Sequence, residues 1–426
     1  MTEQPKSKRP SVRPPRPACT QHPHKRETPA RRSRLALGGV VGMVALCVLG
    51  VCYVTMWRSV RLSVNGGEVA VRVNASLSDL LEQNGYFDVA PGRLMSIGGN
   101  VIDAKGGERC TVTVDGQPVA ASALSSTAVK DGAEVTVANG ADVTEPYSEE
   151  EVVVAPDVEM GKGGAVQYVS QWGKPGKKTV RRGKTSGEEV DQEVLAQPQN
   201  MVVASVNLKP KGGKKYMALT FDDGPSKYTQ QILDILKERG AKATFFNVGT
   251  GAQASPALSK AVLDGGNELA SHTNKHQNLP ALDKDALRGE ITSAFDLLKD
   301  ATGENLQMIR APYGAFTATE WARSADLISC NVLWNIDTLD WKRPGADAIV
   351  NGVLSHAYNG AIALMHDGGG NREQDIEALP RIIDGLHQAG YELVTVGELM
   401  QLDGTIPADV VNGTVKMPKD AVLPEK

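Results

Sequence analysis

The stretch Tyr216-Met217-Ala218-Leu219-Thr220-Phe221-Asp222-Asp223-Gly224-Pro225 decides how this chain is read. Its first six residues form a short, mostly apolar run with an aromatic residue at each end, the make-up of a buried strand. Two carboxylates follow at once, and Gly-Pro then turns the chain away. Working outward, the same kind of run recurs at 243–248, 268–271, 308–310, 332–336, 361–365 and 392–396. Helical spacing fills the gaps. The stretch 229–238 places Ile232, Leu233, Ile235 and Leu236 on one face, 285–299 places Leu287, Ile291, Ala294, Phe295 and Leu298, and 376–388 places Ile376, Leu379, Ile382, Ile383 and Leu386. Strands alternating with helices predict a parallel sheet in an α/β domain. Seven such units predict a distorted (β/α) barrel, closed or nearly so.

Polar residues gather where the runs end. Asp222 and Asp223 follow the first run, and His272 follows the third with His276 four residues on. Arg310 closes the fourth, Asp337 and Asp340 follow the fifth, and His366 and Asp367 follow the sixth. Barrel folds carry their active-site residues at the C-terminal ends of strands. One acid in such a place means little. Five strand ends carrying Asp, His, Arg, Asp and His predict a catalytic site.

Five motifs occur in order: Thr220-Phe221-Asp222-Asp223-Gly224-Pro225, Ser271-His272-Thr273-Asn274-Lys275-His276, Arg310-Ala311-Pro312-Tyr313-Gly314, Asp337-Thr338-Leu339-Asp340-Trp341 and Leu364-Met365-His366-Asp367. On these motifs residues 214–401 resemble the polysaccharide deacetylase family, carbohydrate esterase family four. The resemblance implies a distorted (β/α) barrel with a divalent metal at its mouth and removal of acetyl groups from sugars. One departure is visible: the family often has Pro after the last histidine of the second motif, where this chain has Gln277. That position shapes a turn and is not a ligand.

The chemistry of the residues points the same way. His272 and His276, four apart, would face one way on a helical turn, and Asp223 adds a carboxylate. Two imidazoles and one carboxylate leave open positions for water and substrate, as catalytic zinc sites do. Zinc is expected, although such nitrogen and oxygen ligands also take cobalt or nickel. Neighbouring strand residues point to opposite faces. The two carboxylates would then have different tasks, and the hypothesis is that Asp223 binds the metal while Asp222 is the general base that takes a proton from a metal-activated water. His366 is read as the acid that protonates the departing sugar amine. By resemblance, the backbone N–H of Tyr313 helps hold the oxyanion, Arg310 orients the base and Asp340 tunes the acid histidine. The residues alone leave Asp337 and Asp340 both open for that last task. Trp341 and Leu364 are candidates for the pocket around the acetyl methyl, and Leu364 serves the core equally well.

The rest of the 426-residue chain sets the context. A net charge of −4 gives no basic excess for nucleic acid. Five cysteines without a Cys-x-x-Cys pair indicate neither a zinc ribbon nor a disulfide framework. Residues 1–34 are basic and lack apolar periodicity, as a disordered tail would. Residues 35–57 carry no charge and are long enough for a transmembrane helix. The basic flank before it predicts a cytoplasmic N-terminus and an extracellular remainder. The segment is longer than a signal peptide's apolar core, which predicts an uncleaved anchor.

Residues 58–145 read as a small β-rich module with a weak likeness to a ubiquitin-like β-grasp. It has a hairpin around Asn65-Gly66-Gly67, a short helix at 76–84, and strands at 111–114 and 134–137. Residues 146–208 are rich in Gly and Lys and resemble the glycine-rich module of bacterial wall-associated proteins, or else form a spacer and linker. The catalytic domain is expected over 209–401 and a tail over 402–426.

The expected function is deacetylation of N-acetylhexosamine in a cell-surface polysaccharide, with peptidoglycan N-acetylglucosamine as the leading substrate. N-acetylmuramic acid, poly-N-acetylglucosamine, chitin oligomers and acetyl xylan stay open. Two rivals are a wall-glycan-binding protein with an idle barrel and an amidase of small cyclic amides. The intact Asp222, Asp223, His272, His276 and His366 speak against both.

Overall fold

The computed structural model describes residues 34–54 and 58–426. The chain divides into two compact units, one formed by Met1–Met95 with Val101–Thr144 and the other by Ser96–Asn100 with Glu145–Lys426. The expected basic tail at 1–33 and the residues 55–57 lie outside the described residues.

The expected 23-residue span at 35–57 is corrected in part: the structure gives a helix, Arg34–Cys52, of 19 residues. At 1.5 Å per residue it rises about 28 Å. No helix among the described residues is long and apolar enough to cross a membrane.

In the first unit Ser59–Val64 and Gly67–Arg72 form an antiparallel hairpin. Asn65 and Gly66 both take positive φ, the backbone that two-residue hairpin turns require. Helix Leu77–Gln83 starts at a capping box between Ser76 and Asp79 and buries Leu77, Leu80 and Leu81. A five-stranded sheet carries it, in the order Gly67–Arg72, Ser59–Val64, Glu134–Ala138, Thr111–Val114, Gln117–Val119. The central pair, Ser59–Val64 and Glu134–Ala138, is parallel.

The second unit is built on an eleven-stranded sheet. Eight of its strands come from the catalytic region: Lys215–Gly224, Ala243–Asn247, Glu268–Ser271, Met308–Ile309, Cys330–Val332, Ile336–Asp337, Ile362–His366 and Tyr391–Leu393. Their mutual pairings are parallel. Helices Thr229–Glu238, Lys284–Thr302 and Glu373–Gln388 lie where helical spacing was read.

The expected strand at 332–336 is corrected: it is two strands. Cys330–Val332 pairs with Met308–Ile309, whereas Ile336–Asp337 pairs with Ile362–His366. Between them the backbone changes partners. Leu333 N donates to Ala165 O at 2.6 Å and Asn335 N to Ile362 O at 2.8 Å. The barrel is therefore distorted, and its ladder stays open at this point.

The other three strands come from the Gly- and Lys-rich segment. Val166–Gln171 runs antiparallel to Cys330–Val332 and to Met201–Val206, which also pairs with Val158–Met160. The remaining strands of that segment, Tyr147–Val154, Gly176–Gly183 and Glu189–Ala196, form a separate antiparallel sheet. Residues 402–426 include helix Ala408–Val411 and bury Val410, Val415 and Ala421.

The first strand of the barrel shows how the core positions the site. Met217, Leu219 and Phe221 pack with Ile232, Leu236, Ile382 and Leu386 of the surrounding helices. Ala218 packs on the other face with Phe246, Val332 and Ile362. Side chains alternate along a strand, so Thr220 and Asp222 share the face of Ala218 and point into the barrel.

Candidate functional site

Asp222 is fully buried at the C-terminal end of the first strand. Its neighbour Asp223 would face away on a regular strand. Instead the ladder with Ala243–Asn247 slips between Asp222 and Gly224, and Asp223 takes φ +70°. This bulge turns both carboxylates towards one cavity. Room for the bulge comes from Gly368 and Gly369. A Cβ on Gly368 would lie 1.9 Å from Asp223 O, and one on Gly369 would lie 2.2 Å from Asp223 Oδ2.

His272 follows the third strand and is buried. Its Nδ1 lies 2.7 Å from the carbonyl oxygen of Arg310, to which it donates. That bond leaves Nε2 with its lone pair free, 3.5 Å from Asp223 Oδ1. His276 Nε2 is 3.3 Å from the same oxygen. The expectation that the two histidines share a helical turn is corrected: 272–278 is irregular, with Thr273 at φ +65° and His276 at φ +56°. A loop brings the rings to 4.9 Å between centroids. The ligand atoms of Asp223, His272 and His276 lie within 4.8 Å of one another, a group that could hold a metal ion. Burial pulls His272 down to about 3, which keeps the imidazole neutral as ligation requires.

On one side of this group stands Asp222 with Arg310. Arg310 Nη1 donates to Asp222 Oδ1 and to Thr220 Oγ1, both at 2.7 Å. Its remaining nitrogens hold Val332 O and Leu333 O, and its Cζ sits 4.1 Å above the Phe246 ring. Burial raises the Asp222 carboxyl, and the Arg310 charge opposes that rise.

On the other side stands His366, whose position in the seventh strand pairs with Asp222 in the ladder. Its Nδ1 lies 2.8 Å from Asp340 Oδ1 and 3.0 Å from Oδ2. Burial pulls the imidazole down, but the Asp340 carboxylate outweighs it and holds His366 above its ordinary value. Asp340 is fully buried. Asp337 is exposed and accepts from Leu339 N. The choice that the residues alone left open therefore falls on Asp340 by geometry.

Asp222, Asp223, His272, His276, Asp337 and His366 line one cavity of about 510 Å³, with Arg310 and Asp340 buried behind its wall. Leu364 forms part of its wall and is buried, while Trp341 and Tyr313 stand exposed at its edge. Tyr313 takes φ +61° in the turn Pro312–Gly314, and its ring packs edge-on against His276. Every expected site residue thus lines the cavity or, like Arg310 and Asp340, bonds to a residue that does.

The sequence reading missed three lining or supporting groups. Trp334 lines the cavity from the segment where the barrel ladder opens. Arg372 lines it although it is buried, and its Nε donates to Gly368 O at 2.6 Å. Asp375, in the first turn of the following helix, is buried beside Asp340. The glycine run before Arg372 was a usable signal, because three glycines after a strand mark a close approach of two backbones. Asp375 gave none, since an acid in a first helical turn is ordinary.

The family model described as polysaccharide deacetylase matches residues 209–327. A peptidoglycan-N-acetylglucosamine deacetylase of Bacillus cereus is 37% identical over 191 residues, covering 44% of this chain and 89% of that protein. A chitooligosaccharide deacetylase of Rhizobium leguminosarum bv. trifolii is 40% identical over 188 residues, covering 41% and 87%. A solved peptidoglycan deacetylase from Bacillus subtilis is 33% identical with a TM-score of 0.42, covering 45% of this chain and 93% of that one. On the family model and the two sequence relatives, this chain belongs to the polysaccharide deacetylase family and is a hydrolase that removes acetyl groups from carbohydrate.

Proposed function

We propose that this enzyme hydrolyses the N-acetyl group of N-acetylglucosamine in peptidoglycan, with Asp222 as base, His366 as acid and a divalent cation held by Asp223, His272 and His276. The observation that carries the reading is the flanking of one three-ligand cluster by a carboxylate on Arg310 and an imidazole on Asp340, all in a single cavity. Two imidazoles and a carboxylate suit zinc, and cobalt or nickel fit the same donors. Bound there, the cation would supply Lewis-acid polarisation and a lowered pKa for water.

The chain's own residues do the rest. Asp222 takes the proton of the attacking water while Arg310 holds the carboxylate in place. The acetyl carbonyl oxygen faces the main-chain N–H of Tyr313. The acetyl methyl rests against Leu364 and Trp341. His366 enters protonated on both nitrogens, gives its Nε2 proton to the departing amine, and leaves Nδ1–H on Asp340. One water and one amide become acetate and a free amino sugar.

Peptidoglycan is favoured because a relative of that activity matches the catalytic region and because residues 35–57, uncharged behind a basic flank, suit a membrane anchor that leaves the enzyme outside the cell. Muropeptide mass spectrometry of cells with and without the gene tests it. Loss of acetyl groups from glucosamine only when the gene is present is expected. Unchanged muropeptides, with acetate released from chitooligosaccharides by the purified protein, would move the substrate to chitin oligomers. A protease added to intact cells should remove the catalytic region; full protection would overturn the proposed topology.

A further inference from the structure

We propose that Asp375 is an un-ionised carboxylic acid that donates a hydrogen bond to Asp340 and so positions Asp340 against His366. This deepens the proposed mechanism and rests on His366 being the acid.

The geometry demands a proton in this pair. Asp340 and Asp375 are both buried, at 0% and 1% exposure, and their carboxyl groups are hydrogen-bonded to each other. Two carboxylates carry no hydrogen between them, so one must be protonated to make that bond. Asp340 is the worse candidate to hold the proton. Its oxygens already accept from His366 Nδ1 at 2.8 and 3.0 Å and from Trp341 N at 2.8 Å. Asp375 is poorer in donors: beyond its own backbone N–H it has little to accept from, and its Oδ1 is buried without a hydrogen-bond partner. An ionised oxygen in that place would be costly, whereas the carbonyl oxygen of a neutral acid is far less so.

The charges around the pair agree. Arg372, next to the same helix, attracts both carboxyls, and His366 attracts Asp340. The other charged groups on elements packed against helix Glu373–Gln388 are engaged further along it. Asp347 pairs with Arg381, Arg239 with Asp384 and Glu238, and Glu392 with Lys214. Burial first, then the Asp340 carboxylate, pushes Asp375 up to about 9. Asp340 moves the other way, held low by His366 and by the Asp375 bond against the effect of burial.

The consequence for the site is orientation. Asp340 sits in a tight turn, Asp340–Lys342, and one face of its carboxylate must meet His366. A second side-chain donor to Asp340 fixes the carboxylate plane without adding negative charge beside the imidazole. Asp375 is thus a positioning residue and touches no substrate.

Infrared difference spectra of the intact protein, wild type minus Asp375→Asn at pH 7, test the protonation directly. A carbonyl band of an un-ionised acid that vanishes in the variant is expected, and its absence would overturn the proposal. Thermal unfolding adds a second readout. The folded state keeps a proton that an unfolded aspartate releases above about pH 4. Stability must therefore fall as pH rises from there towards 9, and Asp375→Asn should remove that fall. A variant with the wild-type pH slope would contradict a neutral Asp375.

Kinetics test the positioning. Asp375→Leu should lower kcat about tenfold with KM little changed, and Asp375→Asn, whose amide donates the same bond, should restore it. The alkaline limb of the Asn profile should stay in place, whereas removal of an ionised Asp375 would lower it by about one unit. His366→Ala assayed alongside separates the two ideas. Full acetate release there overturns the acid assignment. Loss there with an unimpaired Leu variant overturns only the positioning role.

Discussion

Arg310 Nη1 lies 2.7 Å from Asp222 Oδ1, and neither side chain is open to solvent. The pair joins the end of the first strand to the end of the fourth, so the proposed base is held by a residue 88 positions away. Burial lifts the Asp222 carboxyl and Arg310 limits the rise.

Removal of that partner gives the first prediction. Arg310→Met leaves Asp222 as an uncompensated buried charge, a loss of about 3–5 kcal/mol. Asp222 must be ionised to take a proton, so the acid limb of acetate release should move to higher pH. Arg310→Lys should recover part of the stability and less of the activity, because an ammonium cannot also hold Thr220, Val332 and Leu333. Denaturant unfolding and a pH–rate profile check both statements.

Asp340→Asn addresses the proposed acid. Asp340 holds His366 above its ordinary value against burial. With an amide there the imidazole should lose its proton more easily, so the alkaline limb of kcat/KM should fall by about one unit or more. An unmoved limb would show that His366 does not set it.

The three-ligand cluster makes a prediction that needs no substrate. Asp223→Asn should bind much less divalent cation, measured by elemental analysis, with its circular dichroism unchanged. Dialysis of the wild type against a chelator should abolish acetate release and lower the thermal midpoint, because a cation that binds only the folded chain stabilises it. Zinc should restore both. His276→Ala should behave like Asp223→Asn.

Asn331 offers a test away from the chemistry. Its Oδ1 accepts from Ala311 N at 3.0 Å and its Nδ2 donates to Gln167 Oε1 at 2.9 Å. Asn331→Leu keeps the volume but strands a buried N–H just before Tyr313, at a cost of about 1–3 kcal/mol. Thermal unfolding should show that loss, and kcat should fall as the 311–314 turn loosens. Gln167→Ala should show the same trend more weakly.

Much of this was legible in the chain. Lys215–Gly224, Ala243–Asn247 and Ile362–His366 announced themselves because a strand buried on both faces is a continuous apolar run. The polar residues closing those runs marked the cavity. What stayed hidden depends on distant partners. Nothing local in 332–336 says that Leu333 will bond to Ala165 and Asn335 to Ile362. The spacing of His272 and His276 suggested a helical turn, but two residues at positive φ brought the rings together instead. Met201–Val206 reads as a strand from its apolar run, but the Gly- and Lys-rich composition around it masked Val158–Met160 and Val166–Gln171, whose registers are set by Met201–Val206, Asn331 and Val332.

The antiparallel strand Val166–Gln171 limits how portable the catalytic body is. The matched family region begins at residue 209, after the three strands that extend the sheet. A shortened chain starting there would bare the outer edge of Cys330–Val332 and leave Asn331 without Gln167. An unclaimed edge is a template for a stray strand, so such a piece should self-associate. Fusing this deacetylase to a different carrier therefore means carrying 158–206 along with it.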